Sequence, residues 1–140
     1  MKVVVNRCYG GFGLSDKATE MVMNRKGLDC FRYYWDYESN GLIRCKPNQY
    51  YYIVYYLTKD MGERFDRNEF DRNELSNDVY WHNSKLERTD LDLIAVVEEL
   101  GKEANGEFAR LEVVEIPGDV DWEIDEYDGW EKIYDVHRVW

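Results

Sequence analysis

The fold is decided near the start of the chain by one stretch, Val3-Val4-Val5-Asn6-Arg7-Cys8-Tyr9-Gly10-Gly11-Phe12-Gly13-Leu14-Ser15. Its β-branched run predicts a strand, and three glycines within four residues predict a loop. Ser15 then stands at the N-cap position of a helix predicted over about residues 16–26, which Gly27 ends. A strand, a loop and a helix in this order bring backbone N–H groups and a helix N-terminus to one point, where a phosphate or carboxylate can bind.

This loop is our first candidate site, and we predict that it binds a small anionic, nucleotide-like ligand. In this hypothesis the three glycines and Ser15 hold the phosphate, Arg7 adds positive charge and a tyrosine stacks on the base. The candidate residues all lie in or beside the loop: Arg7, Tyr9, Gly10, Gly11, Phe12, Gly13 and Ser15. The loop matches neither Walker A nor the dinucleotide-binding G-x-G-x-x-G pattern. The alternative is structural, because glycines also permit a tight turn or close packing of a helix on a sheet.

The overall composition predicts a folded, single domain over residues 1–140. The chain is 44% apolar and 34% charged, and its 140 residues are enough for a core without disulfides or metals. No run approaches the 18 apolar residues of a membrane span, and no signal peptide is recognisable, so we expect a cytoplasmic protein. The three cysteines form no C-x-x-C pair, which indicates neither a disulfide framework nor a zinc site.

The charge is strongly negative and unevenly distributed. Residues 1–58 hold 8 Lys and Arg against 5 Asp and Glu, whereas residues 59–140 hold 10 against 24. This balance disfavours direct binding of nucleic acid, which depends on cations that neutralise phosphates. The alternative hypothesis for function is that an acidic face imitates nucleic acid and blocks the basic groove of a nuclease. The acidic residues of that face are Asp121, Glu123, Asp125, Glu126 and Asp128.

The remaining pattern predicts an α+β fold with a mixed or antiparallel sheet and a second main helix over about residues 90–104, which a capping box at Thr89-Asp90-Leu91-Asp92 begins. Aromatic runs over 28–37 and 49–57 predict antiparallel strands, and Asn40-Gly41 between them suits a type I′ turn. Residues 59–88 read as a long surface connection, because Phe65-Asp66-Arg67-Asn68-Glu69 is repeated at once in 70–74. Strands are predicted over 107–116 and 120–125, and Asp128-Gly129 predicts a hairpin turn after them. From Trp130 onward the spacing fits a strand or a helix.

Catalytic chemistry has little support in this sequence. A Cys8–His137 dyad is the one nucleophilic arrangement considered, and a free cysteine is more often a small buried hydrophobic residue. Neither histidine has a partner at metal-ligand spacing. We therefore predict a non-enzymatic protein without metal or cofactor.

The chain also resembles a family of small tailed-bacteriophage and prophage proteins for which no activity is established. Asn6-x-Cys8-Tyr9-Gly10-Gly11-Phe12-Gly13-Leu14-Ser15 and the terminal His137-Arg138-x-Trp140 carry the resemblance, together with segments within residues 96–117. It implies a phage accessory protein in the cytoplasm of the infected bacterium, and such proteins often oppose host defence. The expected partner is then a nucleotide-like ligand or a host defence protein, with no membrane. Whether the chain forms a homo-oligomer is left open.

Overall fold

The computed structural model describes residues 1–66, 79–135 and 138–140. It confirms the α+β class, with two α-helices and sheets in which every described strand pair is antiparallel. The described chain packs into two compact units, a division that the sequence does not predict. The first unit combines residues 1–26 with 83–140, and the second spans residues 27–82.

The first unit contains both α-helices. Helix α1 spans Asp16–Arg25, and the Ser15 hydroxyl caps it by accepting from the Ala18 N–H at 3.1 Å, as predicted. Helix α2 spans Leu91–Leu100 and is capped by the Asp90 carboxylate. The predicted α-helix over 90–104 is therefore shorter. A positive φ of 57° at Gly101 ends it, and the chain continues as a 3₁₀ helix over Gly101–Ala104.

Two small sheets complete this unit. Strand β1 (Lys2–Asn6) pairs with β7 (Leu111–Glu115), and β8 (Glu123–Tyr127) pairs with β9 (Trp130–Tyr134) across a turn at Asp128-Gly129. The segment Trp130–Tyr134 is thus a strand. Helix α2 packs against β1 and β7. The core beside the β8–β9 hairpin is built from the buried residues Val3, Val5, Ile116 and Ile133.

The second unit is a five-stranded antiparallel sheet with the strand order β5-β3-β2-β4-β6. The strands are β2 (Phe31–Asp36), β3 (Gly41–Arg44), β4 (Tyr55–Leu57), β5 (Arg64–Asp66) and β6 (Tyr80–Trp81). Its core is centred on the fully buried Tyr33, which packs with Leu42, Leu57, Phe65 and Val79. A 3₁₀ helix at Asn83–Lys85 follows in the first unit.

The turn between β2 and β3 and the two edge strands of this sheet differ from what the sequence predicts. The predicted two-residue type I′ turn at Asn40-Gly41 is wrong, because four residues separate the paired Asp36 and Gly41. Gly41 already belongs to β3, where a Cβ atom would lie 2.6 Å from the carbonyl oxygen of Phe65. Within the predicted connection of residues 59–88, β5 and β6 form the two edges of the sheet. Most of the repeated F-D-R-N-E segment lies outside the described residues.

Candidate functional site

The glycine loop is held in close contact with two other segments of the first unit. A Cβ atom at Gly10 would lie 2.0 Å from the Cβ of Phe108. One at Gly106 would lie 2.8 Å from the carbonyl carbon of Gly13, whose oxygen accepts from the Gly106 N–H at 2.9 Å. One at Gly129 would lie 2.4 Å from the backbone nitrogen of Gly11. These glycines therefore let backbone segments approach to distances that a side chain would prevent.

Two of the predicted phosphate ligands are bonded within the protein. The Arg7 guanidinium donates from Nη1 to the Glu131 carbonyl at 2.6 Å, and its Nε lies 3.4 Å from the Glu112 carboxylate. The Ser15 hydroxyl donates to the carbonyl of Glu103 at 2.6 Å while it caps α1. Both groups thus connect the loop region to other elements of the unit.

Behind the loop lies a buried polar centre, formed by Asn6, Arg88 and Glu131. The Glu131 carboxylate is 5% exposed and accepts from both terminal nitrogens of Arg88 at 2.5 and 2.8 Å, and from the Asn6 N–H at 2.7 Å. The Asn6 amide donates to the Cys8 and Gly129 carbonyls and accepts from the backbone N–H of Arg110. Such complete bonding is what makes a buried charge tolerable.

Phe12 connects the loop to this polar centre. The guanidinium carbon of Arg88 lies 3.7 Å from the centroid of the Phe12 ring, a close cation–π contact. Phe12 is half-buried and covers a cation that is already paired with Glu131. The side chain of Phe12 therefore stabilises the polar centre in this structure.

Tyr9 is the aromatic residue of the predicted site that faces solvent, and it borders a cleft of about 360 Å³ on the outer face of the β8–β9 hairpin. The cleft is lined by Tyr9, Asp125, Tyr127, Trp130 and Lys132. Tyr9 is 65% exposed and Tyr127 is 74% exposed. The Tyr9 and Trp130 rings pack against each other at 5.2 Å between centroids, which supports the exposed ring.

Positive charge borders the same cleft. The guanidinium carbon of Arg110 lies 5.4 Å from the ring centroid of Trp130, which lines the cleft, and Lys132 is itself a lining residue. In the described part of the chain, no hydrogen bond or ion pair engages the side chains of Asp125, Tyr127 or Lys132. Exposed aromatic faces and unpaired polar groups in one concave surface are the usual components of a small-molecule site.

The acidic residues predicted as an alternative site do not form one uniform face. Glu126 accepts from the Gly129 N–H at 2.9 Å and so closes the hairpin turn, in which Asp128 has a φ of 48°. Asp125 lines the aromatic cleft. The remaining acids border a second cleft of about 680 Å³ at the open end of the hairpin, lined by Val120, Asp121, Trp122, Glu123, Tyr134 and Asp135.

One hydrogen bond organises this second cleft. The Tyr134 hydroxyl donates to the Glu123 carboxylate at 2.8 Å. This bond, with the negative charge of Glu123, raises the pKa of Tyr134 above its usual value. Tyr134 therefore stays a neutral donor at physiological pH.

Of the two residues of the predicted Cys8–His137 dyad, the structure describes Cys8. Cys8 is a half-buried free cysteine, and its carbonyl accepts from the Asn6 amide at 2.7 Å. His137 lies outside the described residues. His82 ends the second unit, where its ring lies 4.0 Å from that of Tyr80. Among the described residues, no group of three or more His, Cys, Asp and Glu side chains has an arrangement suited to a metal ion.

Sequence reasoning missed most of the cleft. The lining residues Tyr127, Trp130 and Lys132 are not among the predicted site residues, although the sequence holds a signal for all three. Arg110, which packs on Trp130, is not among them either. Asp128-Gly129 predicts a two-residue hairpin, and counting back from it places Tyr127 opposite Trp130 and Asp125 opposite Lys132. The position of Tyr9 beside this hairpin has no signal in the sequence.

Comparison with known proteins finds no family model, no curated protein and no solved structure that matches this chain. None of the helices among the described residues is long and apolar enough to cross a membrane.

Proposed function

We propose that this protein is a non-enzymatic binding module for a small nucleotide-like ligand, held in the aromatic cleft beside the glycine loop. The observation that carries the proposal is the pair of exposed tyrosines in one concave surface, Tyr9 from the loop and Tyr127 from the hairpin. Aromatic side chains in such positions stack on the flat faces of nucleobases.

Charge supports the same ligand class. Lys132 lines the cleft together with one carboxylate, Asp125, and Arg110 packs against the lining residue Trp130. The lining is therefore neutral in formal charge, whereas the whole chain has a net charge of −11. The two cations are the groups that would attract a phosphate to this region of an acidic protein.

The glycine loop has an indirect role in this proposal. Its backbone packs against residues 106–108 and against the hairpin turn, and these contacts hold Tyr9 at the edge of the cleft. The ligand thus sits beside the loop rather than on the N–H groups at the start of α1. The resemblance to phage accessory proteins supports a biological setting in which the ligand is a nucleotide signal of host defence.

Thermal unfolding with a panel of mono-, di- and cyclic nucleotides tests the proposal. A ligand at 100 times its Kd adds about 2.7 kcal/mol to stability, which shifts the Tm of a domain of this size by several degrees. Tyr9→Ala removes this shift if the cleft is the site. Tyr52→Ala is the matched control, because Tyr52 is 77% exposed and belongs to the second unit. The absence of a shift with every nucleotide contradicts the proposal.

The second cleft favours one other candidate function, inhibition of a nuclease through its basic groove. Its lining includes three carboxylates, those of Asp121, Glu123 and Asp135. Reversal of Asp121 and Glu123 to Lys weakens such an inhibitor, and its binding falls steeply with salt. Inhibition that is unchanged by both the charge reversal and high salt contradicts this candidate.

A further inference from the structure

Two opposite charges lie side by side in the aromatic cleft. Asp125 on β8 and Lys132 on β9 are directly opposite each other in the antiparallel register, and both line the cleft. Their side chains therefore share the outer face of the hairpin. Within the described chain neither side chain makes a hydrogen bond or ion pair, so both are available to a ligand.

The hydrogen-bonding capacity of this pair restricts the base that fits. A carboxylate is only an acceptor and an ammonium group is only a donor. The Watson–Crick edge of guanine carries two adjacent donors, N1–H and N2–H₂, next to the acceptor O6. Adenine presents one donor and one acceptor on this edge, and its ring nitrogen acceptor faces a carboxylate unfavourably. Among the common bases, guanine alone places two adjacent donors on this edge.

We infer that the ligand in the aromatic cleft carries a guanine base, with Asp125 accepting from N1–H and N2–H₂ and Lys132 donating to O6. This inference rests on the proposed function, because it requires the base to stack in the cleft. Tyr9 and Tyr127 supply the stacking faces, and Arg110 is left for the phosphate. Asp125 and Lys132 are specificity-determining residues in this arrangement.

Isothermal titration calorimetry with guanosine, inosine and adenosine 5′-monophosphates tests the inference. Inosine monophosphate lacks the N2 amino group and keeps N1–H and O6, so we expect its affinity to lie between the other two. We expect guanosine monophosphate to bind at least about tenfold more tightly than adenosine monophosphate, as for a bidentate contact to one base. Asp125→Asn then removes most of this preference.

Asp121→Asn is the control, because it removes one negative charge from the same hairpin region but lines the second cleft. A preference for guanine that is lost in Asp125→Asn and kept in Asp121→Asn supports the inference. Equal binding of all three nucleotides, abolished by Tyr9→Ala, overturns the guanine assignment and leaves the proposed cleft intact. Failure of every nucleotide to bind overturns both.

Discussion

Glu131 and Lys132 are neighbours on β9, yet their surroundings are opposite. Glu131 points inward, is 5% exposed and is bonded to Arg88 and to the Asn6 N–H. Lys132 points outward into the aromatic cleft and has no bonded partner within the described chain. Because successive side chains of a strand lie on opposite faces, one hairpin carries both the buried polar centre and the proposed binding surface.

Glu131 and Lys132 represent two kinds of charged residue, one buried and bonded and the other exposed and unbonded. An inward charge has to be fully bonded by the protein itself, because burial without a partner costs several kcal/mol. An outward charge that the fold leaves unbonded makes little contribution to stability. Substitutions on the two faces of the hairpin are therefore expected to affect different measurements.

The largest expected effect comes from Arg88→Ala, which leaves the Glu131 carboxylate buried without its cation. We expect a loss of about 3–5 kcal/mol in the free energy of unfolding. Urea denaturation followed by tryptophan fluorescence measures it. Lys132→Ala on the outer face is the control and should change stability by no more than about 0.5 kcal/mol. Equal losses in the two variants would show that the faces do not differ as proposed.

The next effect concerns the turn that joins the two strands. Gly129 has a φ of 91°, and a Cβ atom there would lie 2.4 Å from the Gly11 nitrogen. Gly129→Ala combines backbone strain with overpacking, so we expect a loss of about 2–4 kcal/mol. Gly118→Ala is the control, since, apart from Gly118 and its chain neighbours, no atom of the described residues lies within 4 Å of the position that the new methyl group would take. A Tm for Gly129→Ala close to that of Gly118→Ala would contradict this packing.

A smaller effect is expected at Asp90, a second carboxylate that is hydrogen-bonded within the protein. Burial alone raises the pKa of Asp90, but hydrogen bonds from Lys26 and from the N–H groups of Leu93 and Asp92 outweigh it and leave the pKa below its usual value. A carboxyl group with a lowered pKa stabilises the fold above its unfolded pKa, and this stabilisation is lost as pH falls through the folded pKa.

Asp90→Asn keeps a capping side chain and removes the charge. We expect the native protein to lose about 1 kcal/mol more stability than this variant between about pH 7 and pH 3. Urea midpoints at the two pH values measure the difference. If the variant and the native protein lose the same stability on acidification, the Asp90–Lys26 pair has no part in the pH dependence.

Local signals predict the elements of this fold well. Ser15 before α1 and the Asp128-Gly129 turn act within a few residues, and both are found as expected. The capping pattern that begins at Thr89 points to the start of α2, and the cap itself is its neighbour Asp90, because the helix begins one residue later. Asn40-Gly41 fails as a turn signal because Gly41 is required elsewhere, beside the carbonyl of Phe65.

The candidate site shows the limit of sequence reasoning more clearly. The glycine motif points to the region of the cleft, and Tyr9 from it lines the cleft. The bonds of Arg7 to Glu131 and of Ser15 to Glu103 join residues more than 80 positions apart, and no local pattern encodes them. The motif alone therefore could not show that these two side chains are bonded within the protein.

The sequence by itself determined the α+β class, the two helices and the turn at Asp128-Gly129, because capping, periodicity and turn chemistry act over a few residues. Only the tertiary structure decided which charges are bonded inside and which line the cleft. The difference arises because β1, the glycine loop and the hairpin turn meet at Asn6, Gly11 and Gly129. Gly129 lies more than 100 residues along the chain from Asn6 and Gly11. Burial and hydrogen bonding at that meeting point give neighbouring residues opposite roles.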